Sequence, residues 1–109
     1  MKLYHPGELL FMLFPFSDVS GGKRRPALVL LDTGDNDIVV ARVTGQISRT
    51  EFDVVLTEWQ QAGLLMPSVV RLHKVTTLEK HMVERRLGML AAEDWARVRT
   101  IVQQLWASI

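Results

Sequence analysis

The side chains able to do chemistry in this sequence are mostly cations, and they come in three clusters. Lys23, Arg24 and Arg25 run without a gap into Pro26 and a purely apolar stretch. Arg71, His73 and Lys74 form the second cluster; Lys80, His81, Arg85 and Arg86 form the third. Acids fill the spaces between them, and the formal net charge is only +1. That balance argues against indiscriminate binding of polyanions. Clustered cations on a near-neutral chain can still grip a phosphate backbone in one groove. The three histidines and the acids show no metal-ligand spacing, so no metal site and no cofactor are expected. There is no cysteine, hence neither a disulfide framework nor a thiolate site, and a reducing cytoplasm is the simplest home. Ser20-Gly21-Gly22 lacks the glycine pattern and following helix of a nucleotide-phosphate loop. It better suits a hairpin loop that gates a groove.

The elements that must position these side chains come from 109 residues, enough for one domain with a single modest core. A hydrophobic share of 48% with 23% charged residues is that of an ordinary soluble globular protein. No apolar run reaches the length of a membrane span, and Pro15 breaks the longest. With Lys2 as the only early cation, and Pro6 and Glu8 soon after, the N-terminus is no signal peptide.

Gly7 to Phe16 is rich in aromatic and aliphatic residues and predicts a strand. Ser17 to Arg25 predicts a loop. Pro26 to Leu31, continuously apolar, predicts a strand buried on both faces. The 32–37 segment is a turn by composition. In the strand expected over Ile38 to Thr44, Val39, Ala41 and Val43 share one face and Val40, Arg42 and Thr44 the other. Further strands are expected over Phe52–Leu56, Val69–Lys74 and His81–Leu87, the last ended by Gly88. Thr57 to Gln61 predicts one helical turn capped by Thr57 and stopped at Gly63. Trp95, Val98, Ile101, Val102, Leu105 and Ile109 repeat with helical spacing, and Glu93 and Asp94 stand where the macrodipole favours anions. The whole predicts a mainly β fold, a small curled antiparallel sheet or barrel with a C-terminal helix packed on it.

Successive blocks of the chain, GELLFMLFPFSD, SGGKRRPALVL, ARVTGQ, GLLMPSVVRLHKVTTLE and RRLGML, resemble the MazF/PemK toxins of type II toxin–antitoxin modules. The resemblance covers nearly the whole chain, in order. It implies an SH3-like or CcdB-like β-barrel that forms a homodimer. It also implies a sequence-selective endoribonuclease that cuts single-stranded RNA without a metal and leaves a cyclic phosphate. The implied partner is an antitoxin whose disordered tail binds along the groove; no membrane is involved. Arg25, just before Pro26, matches the family's catalytic Arg. Thr44, in the block that ends at Gln46, matches its catalytic Thr. Two places depart from the family: Arg71-Leu72-His73 stands where Arg-x-Asp is common, and Gly45 where Ser or Ala is common.

RNA cleavage by its own 2′-OH needs a group to take the 2′ proton, a proton for the leaving 5′ oxygen, and a cation for the charge on phosphorus. Arginine suits the last role, because its planar fork meets two phosphate oxygens at once. Arg25 is placed there, and Thr44 can donate to a phosphate oxygen. His73 is placed at proton transfer, since imidazole titrates near neutrality. Alternation sets Arg71 beside it, where a cation favours the neutral ring. Lys23, Arg24, Gln46 and Arg71 are expected to contact the RNA.

Plainer readings stand beside these. Lys23 and Arg24 serve equally as solubility charges, and Thr44 as a strand threonine. His73, His5 and His81 serve as structural histidines, and Arg71 as an ion-pair partner of Glu51 or Asp53. Phe14 and Phe16 are base-stacking groups if exposed and core if not. Trp106, beside the apolar stripe, suits a dimer or antitoxin contact. Two other functions fit the same scaffold: a CcdB-like toxin that blocks gyrase by protein contact, and a non-catalytic RNA- or partner-binding relative.

Overall fold

In the computed structural model, which describes residues 2–15, 21–46 and 50–109, six strands precede one helix. They are β1 (Glu8–Phe14), β2 (Lys23–Leu31), β3 (Asp37–Thr44), β4 (Asp53–Val55), β5 (Val69–Glu79), β6 (Val83–Met89) and α1 (Ala92–Ala107). The strand order is β4-β5-β3-β2-β1-β6, and every pairing is antiparallel. No helix among the described residues is long and apolar enough to cross a membrane.

Side-chain alternation gives the sheet two apolar faces. Leu9, Leu28, Ala41, Val43, Val70 and Leu72 bury one, joined by Val98 of α1. Leu10, Met12, Phe14, Ala27, Val29 and Val40 bury the other. Each fully buried aliphatic side chain contributes about 1.5–3 kcal/mol. Ala27, Leu28 and Val29 are wholly enclosed, as a strand apolar on both faces requires. Phe14 is core; Phe16 and residues 17–20 of the expected hairpin loop lie outside the described residues.

Register shifts bend the sheet in three of its ladders. Among the described residues no ladder joins β4 to β6, so the sheet is barrel-like without closing. Backbone contact fills the gap instead. The segment after β4 returns against β6 so tightly that a Cβ on Gly63 would lie 2.1 Å from the Leu87 carbonyl oxygen. One on Gly88 would lie 2.4 Å from that of Ala62. Gly88 therefore sits inside β6 rather than ending a strand; it is there because two backbones meet.

Other expectations shift as well. β2 begins at Lys23, so the three cations belong to the strand and not to a loop. β5 continues to Glu79, and a 3₁₀ turn, Lys80–Met82, separates it from β6. The segment from Thr57 forms turns, not a helix. The N–H and hydroxyl of Thr57 donate to the buried Asp94 of α1, at 3.1 and 2.9 Å, instead of capping a helical turn. Asp94 is thus more than a partner for the macrodipole: it ties the helix to the chain that follows β4. Ile109 lies beyond the helix and is 93% exposed, so the apolar stripe stops short of it. Trp106 is exposed too.

Candidate nucleic-acid interface

Register assembles the site. β2 and β3 set Ala27 opposite Arg42 and Leu28 opposite Ala41; carried two residues further, that ladder sets Arg25 opposite Thr44. On the far side of β3, Arg42 faces Arg71 and Thr44 faces Val69, and β4 places Asp53 opposite Arg71. Directly opposed residues, and residues two apart on one strand, share a face. Arg25, Arg42, Thr44 and Arg71 therefore stand on one face of the sheet. Toward one end of β2 and β3 that face is apolar core; toward the other it turns cationic.

Two cavities open at the cationic end. One, about 590 Å³, is lined by Lys23, Arg25, Arg42, Thr44, Gln46 and Arg71. The other, about 410 Å³, is mostly apolar, with Phe11, Pro26, Val43, Leu64, Leu65 and Leu87 in its wall and Arg85 and Arg86 at its side. Arg25, Thr44, Gly45 and Met66 line both. A charged groove and an apolar one thus meet at Arg25 and Thr44.

Among the described residues, no hydrogen bond or ion pair holds Arg25 or Arg42. The Nε of Arg25 is buried without a hydrogen-bond partner. Leaving such a donor unmatched costs about 1–3 kcal/mol, which an anion in the cavity would offset. Burial, and then the charges of Arg25 and Arg71, hold Arg42 below the ordinary arginine range. It stays a cation, and the direction records the cost of three guanidinium groups side by side. The Gln46 N–H donates to Thr44 Oγ1 at 3.2 Å. With that lone pair used, the hydroxyl keeps its own proton to give.

Arg71 Nε lies 3.4 Å from Asp53 Oδ1, the structural ion pair that was one of the two partners expected for it. Arg71 also reaches His73, Nη2 to Nε2, at 3.3 Å. Because arginine only donates, Nε2 accepts and the ring proton sits on Nδ1, 3.9 Å from Asp53 Oδ1. His73 meets a cation and a carboxylate together. It lines neither cavity. The cause is a bulge: along β5 the partners of β3 jump from Arg71 to Val75, which re-aims residues 72–74.

The remaining cations separate by strand face. Lys23 lines the charged cavity with Arg25. Arg24, between them, points the other way and pairs with Glu84 of β6. In the third cluster Lys80 pairs with Asp32 at 3.0 Å, His81 with Glu79 at 3.0 Å, and Arg86 with Glu8 at 2.9 Å. Arg85 lies over the ring of Phe11, 5.3 Å from its centroid. His81 and the exposed His5 stand apart from both cavities. Among the described residues no three His, Cys, Asp or Glu side chains cluster as metal ligands.

Sequence reasoning missed Arg42, although alternation on β3 already placed it with Thr44. It also missed the apolar wall of Leu64, Leu65 and Met66. Here Gly45 has a visible role: a Cβ on it would lie 2.5 Å from Met66 Sδ, so the absence of a side chain lets Met66 lie over the junction of the cavities.

The fold has solved relatives. An endoribonuclease from a Mycobacterial species, in complex with its cognate antitoxin, is 16% identical, with a TM-score of 0.77 over 96% of each chain. Mycobacterium tuberculosis toxin MazF-mt6 is 19% identical, with a TM-score of 0.76 over 92% of this chain and 96% of that one. The MazE–MazF structure from Deinococcus radiodurans is 24% identical, with a TM-score of 0.77 over 97% and 98%. At these identities the likeness shows the fold. No curated protein matches the sequence. A model of the PemK-like, MazF-like toxins of type II toxin–antitoxin systems matches residues 5–106, and with nearly its whole length matched, the chain belongs to that family.

Proposed function

We propose that the chain is a single-domain, sequence-selective endoribonuclease that cuts single-stranded RNA without a metal, through attack of the 2′-OH on the neighbouring phosphate. The observation that carries this is the meeting of Arg25 and Thr44 at the junction of a charged and an apolar cavity, with the Arg25 Nε buried and unmatched. A phosphodiester seated there has its charge met by the Arg25 fork and receives the Thr44 hydroxyl proton in a hydrogen bond. The bond from 2′ oxygen to phosphorus forms as the bond to the 5′ oxygen breaks, leaving a cyclic phosphate and a free 5′ hydroxyl. Charge on phosphorus peaks between the two events, where a preplaced cation stabilises most.

His73, set beside Arg71 rather than in the lining of either cavity, takes the 2′ proton in this scheme. Its Nε2 is occupied by Arg71 in the free protein, so a phosphate that draws the Arg71 guanidinium away frees the base. Solvent reaches the open cavity and supplies the proton for the leaving oxygen. Lys23 and Gln46 hold the flanking backbone. Arg24, turned to Glu84, contributes charge from the other face of β2. On the same reading the chain acts as a cytoplasmic homodimer, restrained by an antitoxin whose extended tail occupies the groove. The antitoxin-bound Mycobacterial structure and the MazE–MazF structure support the last point by their fold.

The test is to expose total RNA to wild type and to Arg25→Ala and map new 5′ ends. Wild type should give a recurrent sequence at the cuts, unaffected by EDTA. The variant should lose at least about 10²-fold in rate, the scale for removing a preorganised charge-stabilising donor. Toxicity that survives Arg25→Ala, with no RNA cut by either protein, would point to action through protein contact instead.

A further inference from the structure

Resting on the nuclease reading, we propose that Arg42 and Arg71 form a second phosphate seat, which holds the linkage adjacent to the one being cut. The β2–β3 register, carried two residues past Ala27 and Arg42, sets Arg25 opposite Thr44, and Arg42 and Arg71 lie opposite one another across β3 and β5. Thr44 and Arg42 are two residues apart on β3, so the rows are separated by about 6.6 Å. That is on the order of the distance between successive phosphates of an extended nucleic-acid strand. Both rows open into the same cavity, and Lys23 stands at its edge.

The second row is poorly explained as scaffold. Arg42 is partly enclosed, yet among the described residues it has no ion pair or hydrogen bond. A guanidinium placed only for solubility would extend into water rather than crowd two others. Arg71 is differently arranged: Asp53 lies by its Nε and His73 by its Nη2. Asp53 holds the Nε edge of the fork and leaves Nη1, and Nη2 once it parts from His73, for an anion. A fixed fork beside a second one is the geometry that recognises phosphate oxygens in pairs. Across the two rows the cavity presents Arg25, Arg42, Arg71 and Lys23, with Asp53 paired to Arg71 behind them. One phosphate leaves two of those charges unmet; a second reduces the excess to one.

The probe is a short RNA carrying the mapped cut sequence, with a single 2′-deoxy residue at the cut so that it binds without being cleaved. A set of such probes carries one uncharged methylphosphonate at each linkage in turn. Binding is measured against salt for wild type, Arg42→Gln and Arg71→Gln, with melting curves for all three.

For wild type, neutralising one linkage adjacent to the cut should weaken binding roughly tenfold or more, the low end for a hydrogen bond to a charged group. Arg42→Gln should bind about as weakly as that, be indifferent to the same neutral linkage, and lose about 0.7 from the log–log salt slope. The methylphosphonate scan on wild type needs no variant, so it decides the matter even if a variant unfolds. Wild-type binding that ignores every adjacent neutral linkage overturns the seat alone. So does an Arg42→Gln protein, folded by its melt, with an unchanged slope. A chain that neither binds nor cuts single-stranded RNA overturns the nuclease reading and this seat with it.

Discussion

Replacing Asp94 by Asn exchanges one oxygen for an amide nitrogen at a wholly buried side chain. Its Oδ1 accepts from the N–H and hydroxyl of Thr57 at 3.1 and 2.9 Å and is paired with Arg97; its Oδ2 accepts from the Glu58 N–H at 3.0 Å. Either orientation of an Asn amide turns its NH₂ against a backbone N–H, leaving a buried donor unmatched at about 1–3 kcal/mol. Arg97, partly exposed, loses its ionic partner for about 1 kcal/mol more. The sum, about 2–4 kcal/mol, lowers Tm by about 10–20 °C in a domain of this size.

The pH dependence carries a sign as well. Burial pushes the Asp94 pKa up, but the hydrogen bonds from Glu58, Thr57 and Arg97 outweigh it and hold the carboxyl below the usual aspartate range. A depressed folded-state pKa stabilises fully above the unfolded value and fades as pH falls through the folded one. The gap between wild type and Asp94→Asn should be full at pH 7 and start to narrow below about pH 4. Calorimetric melts across that range check both points. An Asn variant melting within about 2 °C of wild type at pH 7 refutes the reasoning, as does a gap that widens in acid.

Gly45→Ala should cost less than about 1 kcal/mol, because the clash is with the flexible end of Met66 and the backbone there is unstrained. The displaced Met66 should change the set of RNA sites that are cut, which 5′-end mapping detects; an unaltered map would show that Met66 does not shape the junction. His73→Ala should slow cleavage by about 10²–10⁴-fold between pH 5 and 8, the range for general acid–base groups. Rates equal to wild type across that span would remove His73 from the chemistry.

Arg25 and Thr44 were linked in the sequence through the family resemblance alone; the register of β2 with β3, carried past Ala27 and Arg42, is what sets them opposite each other. The separation of Arg24 from its neighbours was legible in principle. Strand alternation turns it away once β2 is taken to begin at Lys23, but a run of three cations suggests a loop on composition alone. Arg42 was in view on the right face of β3 and gained meaning only when the register set Arg71 across from it. The bulge at residues 72–74 that re-aims His73 has no local signal, since it exists only in the register of β5 against β3. Asp94 resembled an ordinary first-turn acid. Its bonds to Thr57 and Glu58 span 37 and 36 residues, and only the fold brings them together. Gly63 and Gly88 each suggested a stop, whereas their common cause is one backbone lying on another.

On the proposed mechanism the RNA's own hydroxyl attacks a phosphate held by Arg25 and Thr44. The most direct measurement compares cleavage of an oligoribonucleotide with that of the same strand lacking only the 2′-OH just 5′ to the cut, with chelator present, and identifies the product ends. The expected result is a cyclic phosphate and a 5′ hydroxyl from the first and no cleavage of the second. Cutting of the deoxy strand at a comparable rate would contradict it.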